Sequence, residues 1–387
     1  MRVLHVAAYY APAFVYGGPP RTIHALCRAL GGHGVDVQVF TTDANGSGSL
    51  PSSVAAASAF EGVPVRYFAR TWPAAPIGSR ALGVALCQEI THYDVVHLHG
   101  LWNRVVWTAA RAAQKAGVPY VLSPRGMLEP AARAHRAWRK RAAWALLESR
   151  VVTGASLFHA TSEAEHDTLR ALGTDVPIVV IPNGVEILPL LPDIAPRQPL
   201  VLFVGRIHPM KRLDLLIDAF AAIHERRPEA RLVIAGPDEA GLTPALTARA
   251  GRHGDAITWA GAVDDAERRR LLAEASLLVM CSNAESFGMS VLEAMADAVP
   301  VVVTQTCPWS DVERHRAGLW VEQSVEAIGE GIERVLGDPS EARAMGRRGR
   351  ALAESSYGWD AVAAAFADRY HGISRLPAHT RALHAVS

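Results

Sequence analysis

The chain contains 387 residues, about half of them hydrophobic and a fifth charged, which is enough apolar material for two cores of ordinary size. Its formal net charge of +1 at pH 7 argues against a general nucleic-acid-binding protein. The four cysteines have neither the pairing of a disulfide framework nor the spacing of a zinc site, and neither a signal peptide nor an apolar run of membrane-span length is evident. We therefore expect a cytoplasmic protein, soluble or peripheral at the inner face of the cytoplasmic membrane, with no nucleic-acid partner.

Strand-like apolar runs alternate with helical periodicity along the chain, a pattern typical of parallel sheets covered by helices on both faces. Strands are predicted at 2–8, 35–41, 64–68, 94–98, 119–123, 155–160 and 177–181, and again at 200–204, 231–235, 256–260, 276–281, 300–303 and 318–321. A proline-rich stretch interrupts this alternation and marks a linker. We predict a first domain at 1–182, a linker at 183–199, a second domain at 200–356, a last helix at 357–373 and a loosely ordered tail at 374–387.

The loop after the first predicted strand contains Gly17 and Gly18. Without side chains there, the backbone could approach a phosphate or a sugar, although a plain turn before Pro19 and Pro20 would use the same residues. A dinucleotide-binding dehydrogenase would place G-x-G-x-x-G here and an acidic residue after the second strand. Because this chain has neither, an oxidoreductase is disfavoured.

His97 and His99 lie on one face of the strand that ends DVVHLHG, and an H-x-H pair can form half of a metal site. No acidic residue or cysteine stands nearby in the sequence to complete such a site, so we predict no metal. A packed histidine, or a contact of His99 with an acceptor substrate, are the other interpretations.

A strongly basic helix is predicted at 132–150, where cations alternate with two tryptophans. The residues concerned are Arg133, Arg136, Trp138, Arg139, Lys140, Arg141 and Trp144. Such a helix suits anionic lipid or the diphosphate of a lipid-linked acceptor, and Arg139 and Arg141 are the acceptor-side candidates within it. A solvated helix face is the alternative.

The most informative segments lie in the second half of the chain. The strand-like VLFVG at 201–205 is followed by Arg206 and Lys211, just before an amphipathic helix. Two cations beside a positive helix N-terminus suit a diphosphate, including a leaving group whose charge grows as a bond breaks. Solvation of the helix start is the simpler interpretation of either cation alone.

A second such segment, ESFGMSVLE at 285–293, follows the strand-like LLVMCSN. Its two carboxylates, Glu285 and Glu293, and the backbone N–H groups between them could bind neutral hydroxyls such as those of a sugar. If the two glutamates are considered alone, the alternative interpretation is that they only cap a helix at the protein surface. Both segments end a strand of a parallel sheet, so their polar groups should meet at the edge where open α/β folds bind ligands.

Together these segments resemble the retaining family-4 glycosyltransferases of the GT-B fold, which carry a G-R-x4-K stretch and an E-x7-E motif in a C-terminal nucleotide-sugar domain. The resemblance covers nearly the whole chain. YGGPPRTIHALCRAL, HLHGLWN, SPRGMLEPA, ATSEAE and IPNGV also match the bacterial polysaccharide-assembly members, in the same order. An α/β GT-B fold is implied, with two Rossmann-like domains facing each other across a cleft and the last helix crossing back to the first domain.

The resemblance also implies roles for the site residues. Arg206 and Lys211 would stabilise the departing diphosphate and Glu285 would hold the donor sugar, and these three form the predicted catalytic set. The other predicted donor contacts lie in the glycine loop, in a turn facing the base, at the helix start and at a ribose-binding glutamate: Gly17, Gly18, Val263, Phe287, Gly288, Met289, Ser290 and Glu293. No metal or other cofactor is implied.

Two positions depart from the family pattern. Arg125 stands where many relatives carry a histidine that touches the donor sugar, so it could instead bind an anionic acceptor or the donor phosphate, or pair with Glu129. Ala298 stands where the resemblance leads us to expect glycine, and alanine can be accommodated there unless φ is positive.

The implied activity is transfer of a hexose from a UDP- or GDP-linked sugar to a hydroxyl of a glycan acceptor, lipid-linked, in bacterial exopolysaccharide, capsule or cell-surface glycan synthesis. The anomeric configuration would be retained by a front-face route in which the leaving phosphate takes the acceptor's proton. A sugar-nucleotide epimerase on the same fold and a non-catalytic nucleotide-sugar-binding protein are the alternatives.

Overall fold

The structure, a computed structural model, describes residues 1–71, 76–129, 143–191 and 199–375. The chain forms two compact units. One contains Met1–Gly184 together with the chain from Trp359, and the other contains Val185–Gly358. Each unit has its own sheet and its own hydrophobic core.

The first unit is built on an eight-stranded sheet with the order β10-β9-β8-β7-β1-β2-β6-β5, and β3 and β4 form a separate hairpin. The strands are β1 Arg2–Ala7, β2 Asp36–Thr42, β3 Ala44–Asn45, β4 Gly48–Ser49, β5 Ala59–Phe60, β6 Val63–Phe68, β7 Val95–His99, β8 Tyr120–Ser123, β9 Leu157–Ala160 and β10 Ile178–Val180. Neighbouring strands of the sheet are parallel except β5, which pairs antiparallel with β6.

The helices described in this unit come from both ends of the chain. They are α1 Gly18–Gly31, α2 Ser52–Ala55, α3 Arg80–Glu89, α4 Arg104–Ala116, α5 Ser149–Thr153, α6 Glu163–Arg170 and the last helix, α14 Trp359–Ser374, with 3-10 turns at Phe14–Tyr16 and Ile90–His92 and a π turn at Trp144–Glu148.

The central strand β1 shows why this sheet forms. Leu4 and Val6 belong to the hydrophobic core on one face, whereas Val3 and Ala7 belong to the core on the other face. A strand buried on both faces requires helices above and below it, which is the arrangement of a parallel α/β sheet.

Helix α14 completes the core of the first unit. Its buried Val362, Phe366 and Tyr370 lie in the same cluster as Ile23 and Leu26 of α1. The predicted return of the last helix to the first domain is therefore confirmed.

The second unit has a fully parallel six-stranded sheet with the order β13-β12-β11-β14-β15-β16. Its strands are β11 Leu200–Val204, β12 Arg231–Ala235, β13 Ile257–Gly261, β14 Leu277–Met280, β15 Val301–Thr304 and β16 Gly318–Val321. Its helices are α7 Leu213–Arg226, α8 Thr243–Ala250, α9 Asp265–Glu274, α10 Met289–Ala296, α11 Ser310–Arg314, α12 Val325–Gly337 and α13 Pro339–Leu352, with 3-10 turns at Pro209–Lys211 and Gly251–Ala256 and a π turn at Ala353–Tyr357.

Every strand predicted from the sequence is present, and its ends lie within two residues of the predicted ones. The three strands that the sequence did not predict, β3, β4 and β5, have two residues each. Two residues are too few to produce a recognisable alternation of apolar and polar side chains.

The predicted linker at 183–199 differs from the structure at its start. Val185 is buried in the core of the second unit, and its N–H donates to the carbonyl of Tyr357 at 2.8 Å. The proline-rich composition hid this pairing, because the partner lies far along the chain.

Ala298 adopts the left-handed backbone conformation, with φ at 58°. It follows α10 in a Schellman arrangement, in which Ala298 N donates to Met295 O at 3.0 Å and Val299 N donates to Ala294 O at 2.8 Å. A Cβ on Gly346 of α13 would lie only 1.9 Å from Ala298 O, so the neighbouring helix holds this turn in place. The alanine therefore occupies a position that favours glycine.

We expect Ala298→Gly to raise the free energy of unfolding by about 1 kcal/mol, because the left-handed conformation disfavours a Cβ by roughly that amount. For a unit of this size the melting temperature should rise by about 2–4 °C. The matched control is Ala296→Gly at the helical C-terminal residue of α10, which should lower stability by about the same amount. Equal destabilisation by both substitutions would contradict the assignment.

Candidate functional site

In the second unit, the loops that carry the predicted catalytic residues follow two neighbouring strands. β11 and β14 are adjacent and parallel, and they lead into the loops of Lys211 and Glu285. A backbone hydrogen bond from Asn283 N to Met210 O, 2.8 Å long, joins the two loops. The structure thus brings both segments together at the carboxyl edge of the sheet, where open α/β folds bind ligands.

Lys211 and Glu285 form an ion pair, and the same carboxylate oxygen, Oε1, accepts a hydrogen bond from Ser282 Oγ at 2.7 Å. Their side chains are only 16% and 13% exposed. Separating two charges that are so poorly solvated is unfavourable unless a new partner takes over. Each side chain therefore fixes the position of the other, and an anionic ligand would compete with Glu285 for the ammonium.

Arg206 lies at the rim of this site. Its side chain is 58% exposed, and Nη1 donates to Glu239 Oε2 at 2.9 Å. Exposed pairs of this kind contribute little free energy, so an incoming anion could draw Arg206 away from Glu239 at small cost.

Trp309 packs against the residues that precede α10. Gly288 precedes the helix with φ at 86°, and no side chain caps it. The fully buried Trp309 donates its indole N–H to Phe287 O at 2.5 Å, and a Cβ on Gly288 would lie 2.9 Å from Trp309 Nε1. The first turn of α10, with Met289 and Ser290, thereby keeps its N–H groups in a fixed place. Phe287 itself is buried, so only its backbone can face a donor.

Glu293 lies in α10 and forms an ion pair with Arg268 of α9 at 3.2 Å. Val263 is partly buried in the turn between β13 and α9, where Asp264 caps the helix by accepting from Glu267 N at 2.8 Å. These predicted ribose and base contacts thus belong to the second unit, together with the catalytic set.

Gly17 and Gly18 belong to the first unit, at the start of α1. Gly17 has φ at 83° and no side-chain cap, and Pro19 and Pro20 follow within the first turn. Built Cβ atoms on both glycines would meet nothing within 4 Å, so the space around them is open. Since proline has no N–H, this helix start offers fewer donors to a ligand than an ordinary one.

His97 and His99 end β7, and the structure adds His5 of β1, which the sequence did not pair with them. Possible ligand atoms of the three lie within 4.8 Å of one another. However, both ring nitrogens of His97 are engaged, by Tyr370 OH and Ser123 Oγ at 2.6 Å each. Burial lowers the pKa values of His97 and His99 well below the usual 6.5, so both are neutral. His97 is therefore a packed histidine in this structure, with both of its ring nitrogens in hydrogen bonds.

Arg125 approaches this cluster from the loop after β8. Its guanidinium donates to Thr22 Oγ1 at 3.2 Å, to Asn183 Oδ1 at 3.4 Å and to His99 Nδ1 at 3.4 Å. Pairing with Glu129, one of the interpretations of the sequence, is not among these contacts. The structure thus places Arg125 and His99, both acceptor-side candidates, side by side.

The other acceptor-side candidates, Arg139 and Arg141, lie outside the described residues. Among the helices that are described, no segment has the length and hydropathy that a membrane crossing requires.

Sequence reasoning missed two buried carboxylates that shape the first unit. Glu165 accepts from Gly126 N at 2.6 Å and from Thr161 N at 2.8 Å, which fixes the Arg125 turn. Its sequence signal was the S-x-x-E spacing from Ser162, although that spacing predicts only a helix cap. Glu148 accepts from Trp107 Nε1 at 2.6 Å, and burial raises its pKa to about 7. No local pattern in the sequence distinguishes Glu148 from the rest of the helix predicted at 132–150.

Comparisons with known proteins agree with this architecture. Residues 17–184 match the family model "Glycosyl transferase 4-like domain" and residues 192–352 match "Glycosyl transferases group 1". A D-inositol 3-phosphate glycosyltransferase of Streptomyces scabiei is 31% identical over 92% of this chain and 86% of its own length.

Solved structures show the same fold. Sucrose-phosphate synthase from Thermosynechococcus elongatus has a TM-score of 0.75 at 21% identity, covering 96% of this chain and 98% of its own. Anabaena HepE in complex with UDP and glucose has a TM-score of 0.75 at 20% identity, covering 96% of this chain and all of its own. The α/β GT-B fold predicted from the sequence is therefore confirmed, and the chain belongs to the family-4 glycosyltransferases.

Proposed function

We propose that this glycosyltransferase moves a hexose from a UDP-linked sugar to a hydroxyl of a glycan acceptor and retains the anomeric configuration. The observation that carries the proposal is the Lys211–Glu285 pair beside the uncapped start of α10. UDP is favoured over GDP as the nucleotide of the donor because HepE, which shares the fold, is solved with UDP and with UDP-glucose.

In this proposal the donor diphosphate replaces Glu285 as the partner of Lys211. Arg206 turns from Glu239 toward the same phosphates, and the N-terminal turn of α10 adds backbone N–H groups. Glu285, released from Lys211, accepts hydrogen bonds from the hydroxyls of the donor sugar. The cations thus act where negative charge grows as the glycosidic bond breaks.

The other end of the donor uses the remaining predicted contacts. Glu293 accepts from the ribose hydroxyls, with Arg268 holding its carboxylate, and the backbone at Val263 faces the base. Trp309 acts as a positioning residue, because it holds the Phe287 carbonyl and keeps Gly288 in its left-handed conformation.

Retention follows from a front-face reaction. The bond between the anomeric carbon and the phosphate oxygen breaks, the acceptor oxygen attacks from the same face, and the acceptor's proton passes to the leaving phosphate. The three neutral histidines next to Arg125 lie within the first unit and need take no proton in this route.

The acceptor is proposed to be a lipid-linked glycan in the synthesis of a bacterial cell-surface polysaccharide. The basic segment with Arg139 and Arg141 would bring the protein to the anionic inner face of the cytoplasmic membrane. A sugar-nucleotide epimerase would form product without an acceptor, so omitting the acceptor from the assay distinguishes it from the transferase.

Nucleotide binding tests the donor half of the proposal. A UDP-sugar at a hundred times its dissociation constant should stabilise the protein by about 2.7 kcal/mol, which raises the melting temperature by several degrees. The rise should vanish in Arg206→Ala plus Lys211→Ala. It should persist in the matched pair Arg334→Ala plus Arg343→Ala, which removes two exposed cations from α12 and α13 of the same unit. Equal shifts in both double variants would exclude the proposed donor site.

A further inference from the structure

Arg125 occupies a position in the chain that disfavours its residue type. Met127 N donates to Pro124 O at 3.2 Å across a tight turn, and the two central residues, Arg125 and Gly126, have φ at 54° and 75°. Two positive φ angles define a type I′ turn, whose first central position favours asparagine, aspartate or glycine. An arginine held there against its backbone preference points to a role for its side chain.

The charge of this side chain has no carboxylate partner within hydrogen-bonding distance in the part of the chain that the structure describes. Its partners are the neutral oxygens of Thr22 and Asn183 and the neutral ring of His99, at 3.2–3.4 Å. The Glu165 carboxylate is occupied by the N–H groups of Gly126 and Thr161. Burial lowers the pKa of Arg125 to about 10, and Glu165 opposes this shift.

The neighbouring histidines cannot neutralise the guanidinium. Because His99 Nδ1 accepts from Arg125, we assign its proton to Nε2, which then donates to His5 Nδ1 at 3.0 Å. His5 must in turn carry its proton on Nε2, a buried atom with no partner among the described residues. Donation in this chain of hydrogen bonds therefore proceeds from Arg125 to His99 and from His99 to His5. The histidines accept from the guanidinium, but they carry no negative charge.

Arg125 lines a small cavity of about 20 Å³ that is partly open to solvent. Tyr9, Pro19, Asn103 and Met127 are among the other lining residues. This volume is little more than one water molecule needs, so the cavity admits a single small polar group of a ligand and not a whole sugar. Among the residues that the structure describes, those that line the cavity belong to the first unit.

We propose that Arg125 is an anion-recognition residue, and that a ligand places a carboxylate or a phosphate at this cavity, where the anion pairs with the guanidinium. Arginine presents a planar fork of N–H donors that matches the paired oxygens of either group. Identifying that molecule as the glycosyl acceptor rests on the proposed function. The acceptor would then be an acidic or phosphorylated sugar, and Arg125 would select it over neutral sugars.

The test measures thermal unfolding with D-glucuronate, D-glucose 6-phosphate and neutral D-glucose at matched ionic strength. The protein carries Arg206→Ala and Lys211→Ala throughout, so that the two cations of the proposed donor site contribute nothing. We expect at least one charged probe to raise the melting temperature by about 2 °C or more, while glucose does not. Adding Arg125→Gln should abolish the shift, whereas adding Arg111→Gln, at an exposed position of α4, should leave it unchanged.

The pattern of shifts identifies the anion. A response to glucuronate alone would show that the site recognises a carboxylate, and a response to glucose 6-phosphate alone would show that it recognises a phosphate. A response to both would show that the site recognises negative charge of either kind. Arg125→Lys, which keeps the charge but not the fork, should reduce the shift, and it serves if Arg125→Gln fails to fold. Absence of any shift, or a shift that survives loss of Arg125, would overturn the proposal. Because the two cations of the proposed donor site are absent, this result is independent of whether UDP-sugars bind.

Discussion

Replacing Lys211 with methionine should lower kcat/KM for sugar transfer by about 10²–10³-fold, the range found when one donor is removed from a preorganised electrostatic site. Methionine keeps the unbranched apolar stem and removes only the charge. We expect kcat to fall more than KM rises, because the charge of the leaving diphosphate is largest in the transition state. Steady-state kinetics at limiting and saturating UDP-sugar separates the two parameters.

Lys115→Met is the matched control for this substitution. Lys115 is exposed near the end of α4 in the first unit, so its loss should leave the rates unchanged. We expect Lys211→Met to fold, because Glu285 keeps Ser282 as its hydrogen-bond donor. Thermal unfolding of the variant checks this. A folded Lys211→Met protein with wild-type kcat would refute the role of the ammonium.

Replacing Glu285 with glutamine should lower kcat/KM by about 10²-fold. Glutamine has nearly the same shape, but it loses the charge that orients Lys211 and that strengthens hydrogen bonds from sugar hydroxyls. Glu274→Gln is the matched control, since Glu274 pairs with Arg270 on the surface of α9. Both variants should be assayed with the same donor and acceptor.

The two substitutions should also be strongly non-additive. Lys211 and Glu285 touch each other, so removing one already disturbs the other. We expect the double variant to lose little more activity than the more damaging single variant. A double variant whose loss equals the product of the single losses would mean that the two residues act independently.

The fold was predictable because its signals are local and repeated. Each apolar run such as VLFVG is long enough to identify a buried strand, and the helices between the runs have clear periodicity. The same regularity placed Lys211 and Glu285 at one sheet edge, since parallel strands must end on the same side. Their direct pairing could not be predicted, because side-chain geometry depends on loops whose backbone is set by contacts such as Trp309 with Phe287.

The polar interior of the first unit was the least predictable part. His5 and His99 are 94 residues apart, and nothing in the sequence indicates that they form a hydrogen bond with each other. Glu165 contacts Gly126 from 39 residues away. Such contacts have no period and no local spacing, so only the assembled sheet shows them. The left-handed conformation of Arg125 was likewise not predicted, because the first central position of the turn carries an arginine in place of the usual asparagine, aspartate or glycine.

The position of α14 has a consequence for how the protein is made. The ribosome completes most of the first unit before it starts the second, yet the first unit's core includes Val362, Phe366 and Tyr370. Until these residues emerge, the surface around His97 that Tyr370 later covers remains open to water or to chaperones. The first unit is therefore the first to be synthesised and the last to close, and its final packing waits for translation of α14.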